Sequence, residues 1–324
     1  MARRFRFGVN LLEPAQGDAW ERKCRRAEAL GYDVLQVPDH LDWPAPFPSL
    51  VAAANATRRP RLGTFVLNAA FWNPVLLARE VATTARLTGG RLELGLGAGY
   101  VRAESERAGL AYGTARDRVD HLERTVEALT GLLAGPHGTD GTGTDGTGTD
   151  GTGSGRTDGA GAPLTPLLLG GNGPRMLRLA ARHAAVVAFT GAEADPAKDD
   201  GTLRLLSATT VEERVATARG FATSYGTDPE FNVLVQRVVI TEDRGAAAGE
   251  FAPHAPHLDE KELLDLPTLL VGTVAEIAEQ LRRGRERFGF SYVTVLEPSM
   301  EAFAPVIEEL RRDEAGEGHE EVHE

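Results

Sequence analysis

Short apolar runs, each ending in a polar or glycine-rich turn and each followed by a segment of helical character, recur along this chain. A strand buried on both faces reads as an unbroken apolar run, and parallel strands need helical crossovers between them. Residues 5–10, 32–37, 61–67, 91–96, 166–169, 185–189, 231–241 and 291–297 are the strand candidates, in order. Helical spacing or caps mark residues 19–30 behind Asp18, 74–87 behind Asn73, and a segment with Leu122, Val126, Leu129 and Leu133 on one face. They also mark 174–183, a helix opened by Thr210 and Glu213, one opened by Thr273 and Glu276, and residues 302–312. Eight strands alternating with about eight helices predict an α/β fold, a (β/α)8 TIM barrel, as a single domain over residues 1–312.

Three excursions interrupt the alternation: after helix 4, after strand 6 and after strand 7. Residues 138–161 repeat Gly, Thr and Asp with nothing large to bury, which predicts a disordered insertion. A calcium-binding repeat of that composition would carry a large apolar residue in every unit, and this one has none. Residues 190–209 read as loop, and the stretch after strand 7 to 266 as an irregular excursion. Its His254 and His257 are read as solvated, and no metal site is expected. Residues 313–324 form an acidic flexible tail, whose His319 and His323 lack a scaffold.

Charge narrows the function. A formal net charge of −12 and a pI near 5.3 leave no basic face for phosphate backbones, so no nucleic acid partner is expected. No apolar run is long enough for a membrane span, and none follows the basic start as in a signal peptide. The one cysteine, Cys24, sits at core spacing in a helix, consistent with a cytoplasmic protein without disulfides. A small-molecule substrate is the expectation.

In such a barrel, the turns after the strands converge on one mouth. Pro38 ends the second strand, which puts Asp39 and His40 there, with Glu13, Asn68, the run 97–100, the run 170–175 and Thr190. His40 is the general acid/base candidate, since imidazole titrates near neutrality. Tyr100 is a candidate donor to a substrate oxygen, and Glu104 is the nearest acid. Trp43 and Trp72 are candidate pocket walls. Gly97, Ala98 and Gly99 let a planar ligand approach the backbone. Gly170, Gly171, Asn172, Gly173 and Arg175 open a helix whose free amides suit a phosphate. Neither turn has the spacing of a dinucleotide fingerprint.

The run Asp39-His40, Gly63-Thr64, the segment 90–99, Leu169-Gly-Gly-Asn-Gly173 and the segment 270–276 together resemble the luciferase-like monooxygenase family. More narrowly, the chain is similar to its coenzyme F420-dependent oxidoreductase branch. The resemblance implies a barrel that binds F420, or in sister branches FMN, across the strand ends. It implies that His40 lies by the ring and substrate, that a non-prolyl cis bulge underlies the ring at Leu67 and Asn68, and that the 97–100 and 171–175 loops hold ring and phosphate. Sugar-phosphate dehydrogenases of the family carry an acid directly after the fourth-strand glycines; Tyr100 stands there in this chain. The implied reaction is hydride transfer between F420 and a small organic substrate. Alternatives are an FMN monooxygenase fed by a separate reductase, and a non-catalytic flavin-binding paralogue. A homodimer, and a flavin or F420 reductase supplying reduced cofactor, are the protein partners such a reading admits.

Overall fold

The computed structural model describes residues 3–13, 17–134, 165–195 and 202–320. The insertion expected at 138–161 lies outside the described residues. Parallel strands β1 (Arg6–Asn10), β2 (Val34–Val37) and β3 (Arg61–Thr64), with β4 (Leu67–Asn68) continuing β3, precede β5 (Leu92–Gly97), β6 (Leu167–Gly170) and β7 (Val186–Phe189). After a small hairpin, β8 (Ala192–Ala194) with β9 (Leu203–Leu205), come β10 (Glu230–Val235), β11 (Arg237–Ile240), β12 (Leu269–Gly272) and β13 (Phe290–Leu296). The main sheet runs β3-β2-β1-β13-β10-β7-β6-β5-β4, and pairing of β3 with β5, Leu62 opposite Leu92, closes it into an eight-stranded barrel.

Local chemistry sets the helices around it. α1 (Ala19–Ala29) turns Trp20, Cys24 and Ala27 inward. Burial pushes the Cys24 thiol up to about 12, so it packs as an apolar group. Helix α2 (Pro46–Ala56) is an element the sequence reading lacks; its alanine-rich face gives almost no amphipathic signal. In α3 (Pro74–Leu87), Asn73 accepts from Val75 and Leu76 amides and Pro74 takes the first position. The long α5 (Ala115–Ala134) follows a six-residue α4 (Arg102–Arg107), and α6 (Pro174–His183) follows β6.

Five expectations need correction. The run 61–67 is not one strand: it breaks at a cis Phe65–Val66 bond, two residues before the implied bulge. The run 231–241 breaks at Gln236, and β11 leaves the barrel to pair with β12. The stretch 190–209 contains the β8–β9 hairpin, and α7 (Ala208–Tyr225) is capped by Ser207 accepting from Thr210, not by Thr210. The excursion to 266 holds α8 (Arg244–Phe251) and α9 (Glu260–Asp265), and His257 bonds the Leu205 carbonyl at 2.8 Å. The Thr273–Glu276 capping box is present at α10 (Val274–Phe288). The last helix, α11 (Met300–Glu320), runs past Arg312, where Glu314 accepts from the Phe5 amide at 2.8 Å.

The barrel centre is polar as well as apolar. Asn232 donates to Thr294, Thr294 to Gln36, and Gln36 to the Tyr292 hydroxyl, at 2.9, 3.1 and 3.0 Å, all fully buried. Space for that chain comes from Gly8: a Cβ there would lie 2.9 Å from both Gln36 Oε1 and Thr294 Oγ1. Below it, Arg6 bridges Glu93 and Glu230 and lies 4.4 Å over the Tyr292 ring, closing the amino-terminal end. The carboxyl-terminal end is left for the site. Among the described residues, no helix is long and apolar enough to cross a membrane.

Candidate active site

Pro38 ends β2, and the next two side chains diverge. Asp39 reaches the segment beyond β3: its Oδ2 accepts from the Asn68 amide at 3.2 Å and from the Trp72 indole at 2.8 Å. His40 reaches the segment beyond β5, where its Nδ1 is 3.0 Å from both Glu104 oxygens. The imidazole packs edge-on against Trp43, centroids 4.5 Å apart, and against Tyr100 at 6.0 Å. In the neutral tautomer with its hydrogen on Nδ1, the ring donates to Glu104 and leaves the Nε2 lone pair available.

Burial raises the Asp39 carboxyl above its ordinary range; Glu104 adds to this, while Trp72, Asn68 and His40 oppose it. Burial, then Glu104, also raises the Tyr100 phenol, which therefore stays protonated at neutral pH.

The glycines in the fifth-strand turn serve the protein's own packing. A Cβ on Gly97 would lie 2.7 Å from Val66 Cγ2, and one on Gly99, at φ +74°, would lie 2.3 Å from Asn68 Oδ1. The absence of side chains at 97 and 99 is thus already required by Val66 and Asn68. Val66, Ala98, Gly99 and Gly170 are each partly exposed at these strand ends. Leu67 is fully buried and Asn68 nearly so, its Oδ1 accepting from the Ala70 amide.

The second glycine turn divides differently. Gly171 is filled by Met176, whose Cβ would be 2.9 Å from an added Cβ, whereas Gly173 has nothing within 4 Å. Gly173 caps α6 without a side-chain bond, and Pro174 has no amide hydrogen, so the Arg175 and Met176 amides are first-turn donors without helical acceptors. Arg175, expected at a phosphate, is paired with Asp120 and Glu123 on α5. Asn172 donates to Thr190 Oγ1 at 3.0 Å and to the Ala192 carbonyl; its own Oδ1 is buried without a partner.

The structure thus brings Asp39, His40, Trp43, Asn68, Trp72, Tyr100 and Glu104 together. Trp72 serves Asp39 and packs edge-on against Phe47 at 5.2 Å, so it belongs to the wall behind the mouth. Glu13 is exposed at the mouth's edge, its amide held by Glu297 at 2.9 Å. The sequence reading lacks Asn10, which ends β1 with its Nδ2 3.4 Å from the Phe65 carbonyl and its Oδ1 buried without a partner. It also lacks His121, whose Nε2 is 3.0 Å from the Ala69 carbonyl. An Asn ending a strand at the mouth is a signal that could have found the first; His121 lies mid-helix with none.

The 5,10-methylenetetrahydromethanopterin reductase of Archaeoglobus fulgidus is 28% identical over 176 residues, covering 54% of this chain and 50% of that protein. The F420-dependent glucose-6-phosphate dehydrogenase of Beutenbergia cavernae is 33% identical over 166 residues, 48% of this chain and 47% of that protein. The oxygenase component of a flavin-dependent trigonelline monooxygenase from Acinetobacter baylyi is 42% identical over 64 residues, 20% of this chain and 18% of that protein. The chain therefore matches about half the length of the first two relatives. An F420-dependent secondary alcohol dehydrogenase, solved with an F420-acetone adduct, shares the fold at a TM-score of 0.67 and 18% identity, over 94% of this chain and 97% of that one. The model of the luciferase-like monooxygenase family matches residues 5–292, and the chain belongs to that family.

Proposed function

We propose that this protein is an oxidoreductase that binds F420 at the carboxyl-terminal mouth of its barrel and exchanges a hydride with a small organic substrate. The observation that carries the reading is the His40–Glu104 contact, 3.0 Å, within an aromatic wall of Trp43 and Tyr100. The residues present fit a flat ring with a phosphate tail. Val66, Ala98 and Gly170 offer apolar surface, Asn10 Oδ1 and Asn172 Oδ1 are unspent acceptors, and the open Gly173 with the Arg175 and Met176 amides suits the phosphate. When bound, a deazaflavin supplies hydride chemistry without oxygen activation.

The chain's own part is proton handling, orientation and dryness. Glu104 holds the Nδ1 hydrogen of His40, so Nε2 can take the proton of a substrate hydroxyl during oxidation and return it during reduction. The imidazolium so formed keeps Glu104 as its Nδ1 acceptor. Tyr100, kept neutral, can donate to the same substrate oxygen. Asp39 fixes the Asn68–Trp72 stretch beside this pair.

The second reading is an FMN monooxygenase supplied by a separate reductase, motivated by the similarity to the trigonelline enzyme's oxygenase component. Titrating the protein with each cofactor, read by absorbance and fluorescence, separates them. Saturable binding of F420 and none of FMN is expected. The reverse would transfer the assignment to the monooxygenase, and binding of neither would overturn both.

A further inference from the structure

Glu104 stands on α4, six residues long and without a side-chain cap at Val101. A helix of that length does not hold itself in water. Its carboxyl-terminal end is tied to the His40 loop by the exposed Arg107–Asp42 pair at 2.8 Å, and its middle by buried Ser105. The amino-terminal end is held by Tyr112 and Arg118.

The Tyr112 ring lies between two guanidinium groups, Arg118 at 4.1 Å and Arg102, the first residue of α4, at 4.8 Å. Its hydroxyl donates to the Tyr100 carbonyl at 2.8 Å. Arg118, on α5, donates from Nε to the Gly99 carbonyl at 3.1 Å and from Nη1 to the Gly113 carbonyl at 3.3 Å. Residue 99 is thereby fastened to α5 directly, residues 100 and 102 are fastened to it through the Tyr112 ring, and the residue two positions on is Glu104. Gly99, at positive φ, has no side chain of its own to fix the turn.

We infer that Tyr112 is a positioning residue for the His40–Glu104 pair: it acts through the backbone of Tyr100 and the side chain of Arg102 and touches neither His40 nor substrate. The inference rests on the proposed role of that pair, but its first test does not need cofactor or turnover. The groups facing His40 are Glu104 on α4, Tyr100 before it, Trp43 on its own loop and Asp39 beside it in sequence.

The test is ¹⁵N NMR of the His40 ring, assigned by its loss in His40→Asn, on the protein without cofactor. In the parent, the neutral ring should carry its hydrogen on Nδ1. Tyr112→Ala should shift the ring toward a mixture of tautomers, as Glu104→Gln should, whereas Tyr112→Phe, which keeps the stacked ring, should stay near the parent. In turnover, Tyr112→Phe should cost roughly 2- to 10-fold, the worth of one neutral hydrogen bond. Tyr112→Ala combined with Glu104→Gln should be no slower than Glu104→Gln alone. A parent-like tautomer in Tyr112→Ala, or fully additive losses in the double variant, would overturn the inference and leave Tyr112 a structural residue. If the parent binds neither cofactor, the functional proposal fails, while the tautomer result still decides whether Tyr112 positions the pair.

Discussion

The fifth-strand turn, 97–99, and the turn from Gly170 to Gly173 look alike as letters, yet they are built for different neighbours. In the first, both glycines are consumed by the protein, Gly97 by Val66 and Gly99 by Asn68. In the second, Gly171 is consumed by Met176, and Gly173 faces open space beside unspent amides and the unpartnered Asn172 Oδ1. A glycine announces that something comes close; only the fold says what. The comparison also divides the mouth by labour. The side from Asp39 to Glu104 is cross-linked by its own hydrogen bonds, which suits groups that must keep one geometry. The side from Gly170 to Ala192 retains capacity for a ligand.

The most severe perturbation of the consumed side is an added methyl. A Cβ on Gly95, in the same strand, would sit 2.1 Å from the Thr64 carbonyl oxygen, and Thr64 Oγ1 bonds both the amide and the carbonyl of Gly95 at 2.8 Å. Backbone cannot yield as a flexible side chain can, so Gly95→Ala should separate β3 from β5 where the barrel closes. The expected loss is at least the 1–3 kcal/mol typical of overpacking, read from the urea midpoint. A parent-like midpoint would mean that this seam tolerates opening.

In turnover the large effect belongs to His40→Asn, which keeps a polar side chain of similar reach but cannot exchange a proton. Turnover should fall by roughly 10²- to 10⁴-fold with cofactor affinity preserved. A loss of only a few-fold would reduce His40 to a loop residue and break the division of labour at its centre.

The second turn offers a paired experiment that corrects the sequence expectation. From sequence, Gly171 is the natural place to intrude on a phosphate; in the structure, a side chain there meets Met176 first, so Gly171→Val should lower stability and affinity together. Gly173→Val is the cleaner probe. Its backbone, φ −78° and ψ 153°, accepts any residue, and nothing lies within 4 Å. About tenfold weaker cofactor binding at an unchanged melting temperature is expected, by fluorescence titration beside thermal unfolding. Unchanged affinity would remove the helix start from the ligand site.

Much of this was legible in advance because its signals are local. Apolar runs ending in Pro38 or in Gly97 declare strand ends, and strand ends in a barrel share a mouth, so Asp39, His40 and Tyr100 could be grouped from spacing alone, with Glu104 added only as the nearest acid. Asn73-Pro74 and Thr273–Glu276 declare helix starts by their own hydrogen-bond chemistry. What stayed hidden depends on contacts between distant segments. Arg175 reads as a phosphate ligand until Asp120 and Glu123 are seen to hold it. Gly97 reads as a ligand platform until Val66 fills it, and the apolar run 231–241 shows nothing of the bend at Gln236 that carries β11 out to β12.

The smallest expected effect sharpens the cross-linked side and concerns Asp39. Burial holds its carboxyl above the ordinary range even though Trp72 and Asn68 hydrogen-bond to it. A group whose folded-state pKa is raised takes up its proton more readily folded than unfolded. Its contribution to stability is therefore complete below the unfolded value, near 3.9, and is lost as pH rises through the folded value. At neutral pH the fold thus carries a carboxylate that it would hold more easily as a neutral group. Asp39→Asn is permanently neutral, and its Oδ1 can still accept from the Asn68 amide and the Trp72 indole. It should melt about a degree higher than the parent at pH 7, and the gap should close as pH is lowered to about 4. Paired melting curves at the two pH values check this, with turnover at pH 7 alongside. Higher stability with slower turnover would mean that the charge beside His40 is kept for function at the expense of the fold. A variant less stable than the parent at both pH values would mean instead that the two hydrogen bonds need the carboxylate's geometry, and that this side of the mouth is cross-linked for stability alone.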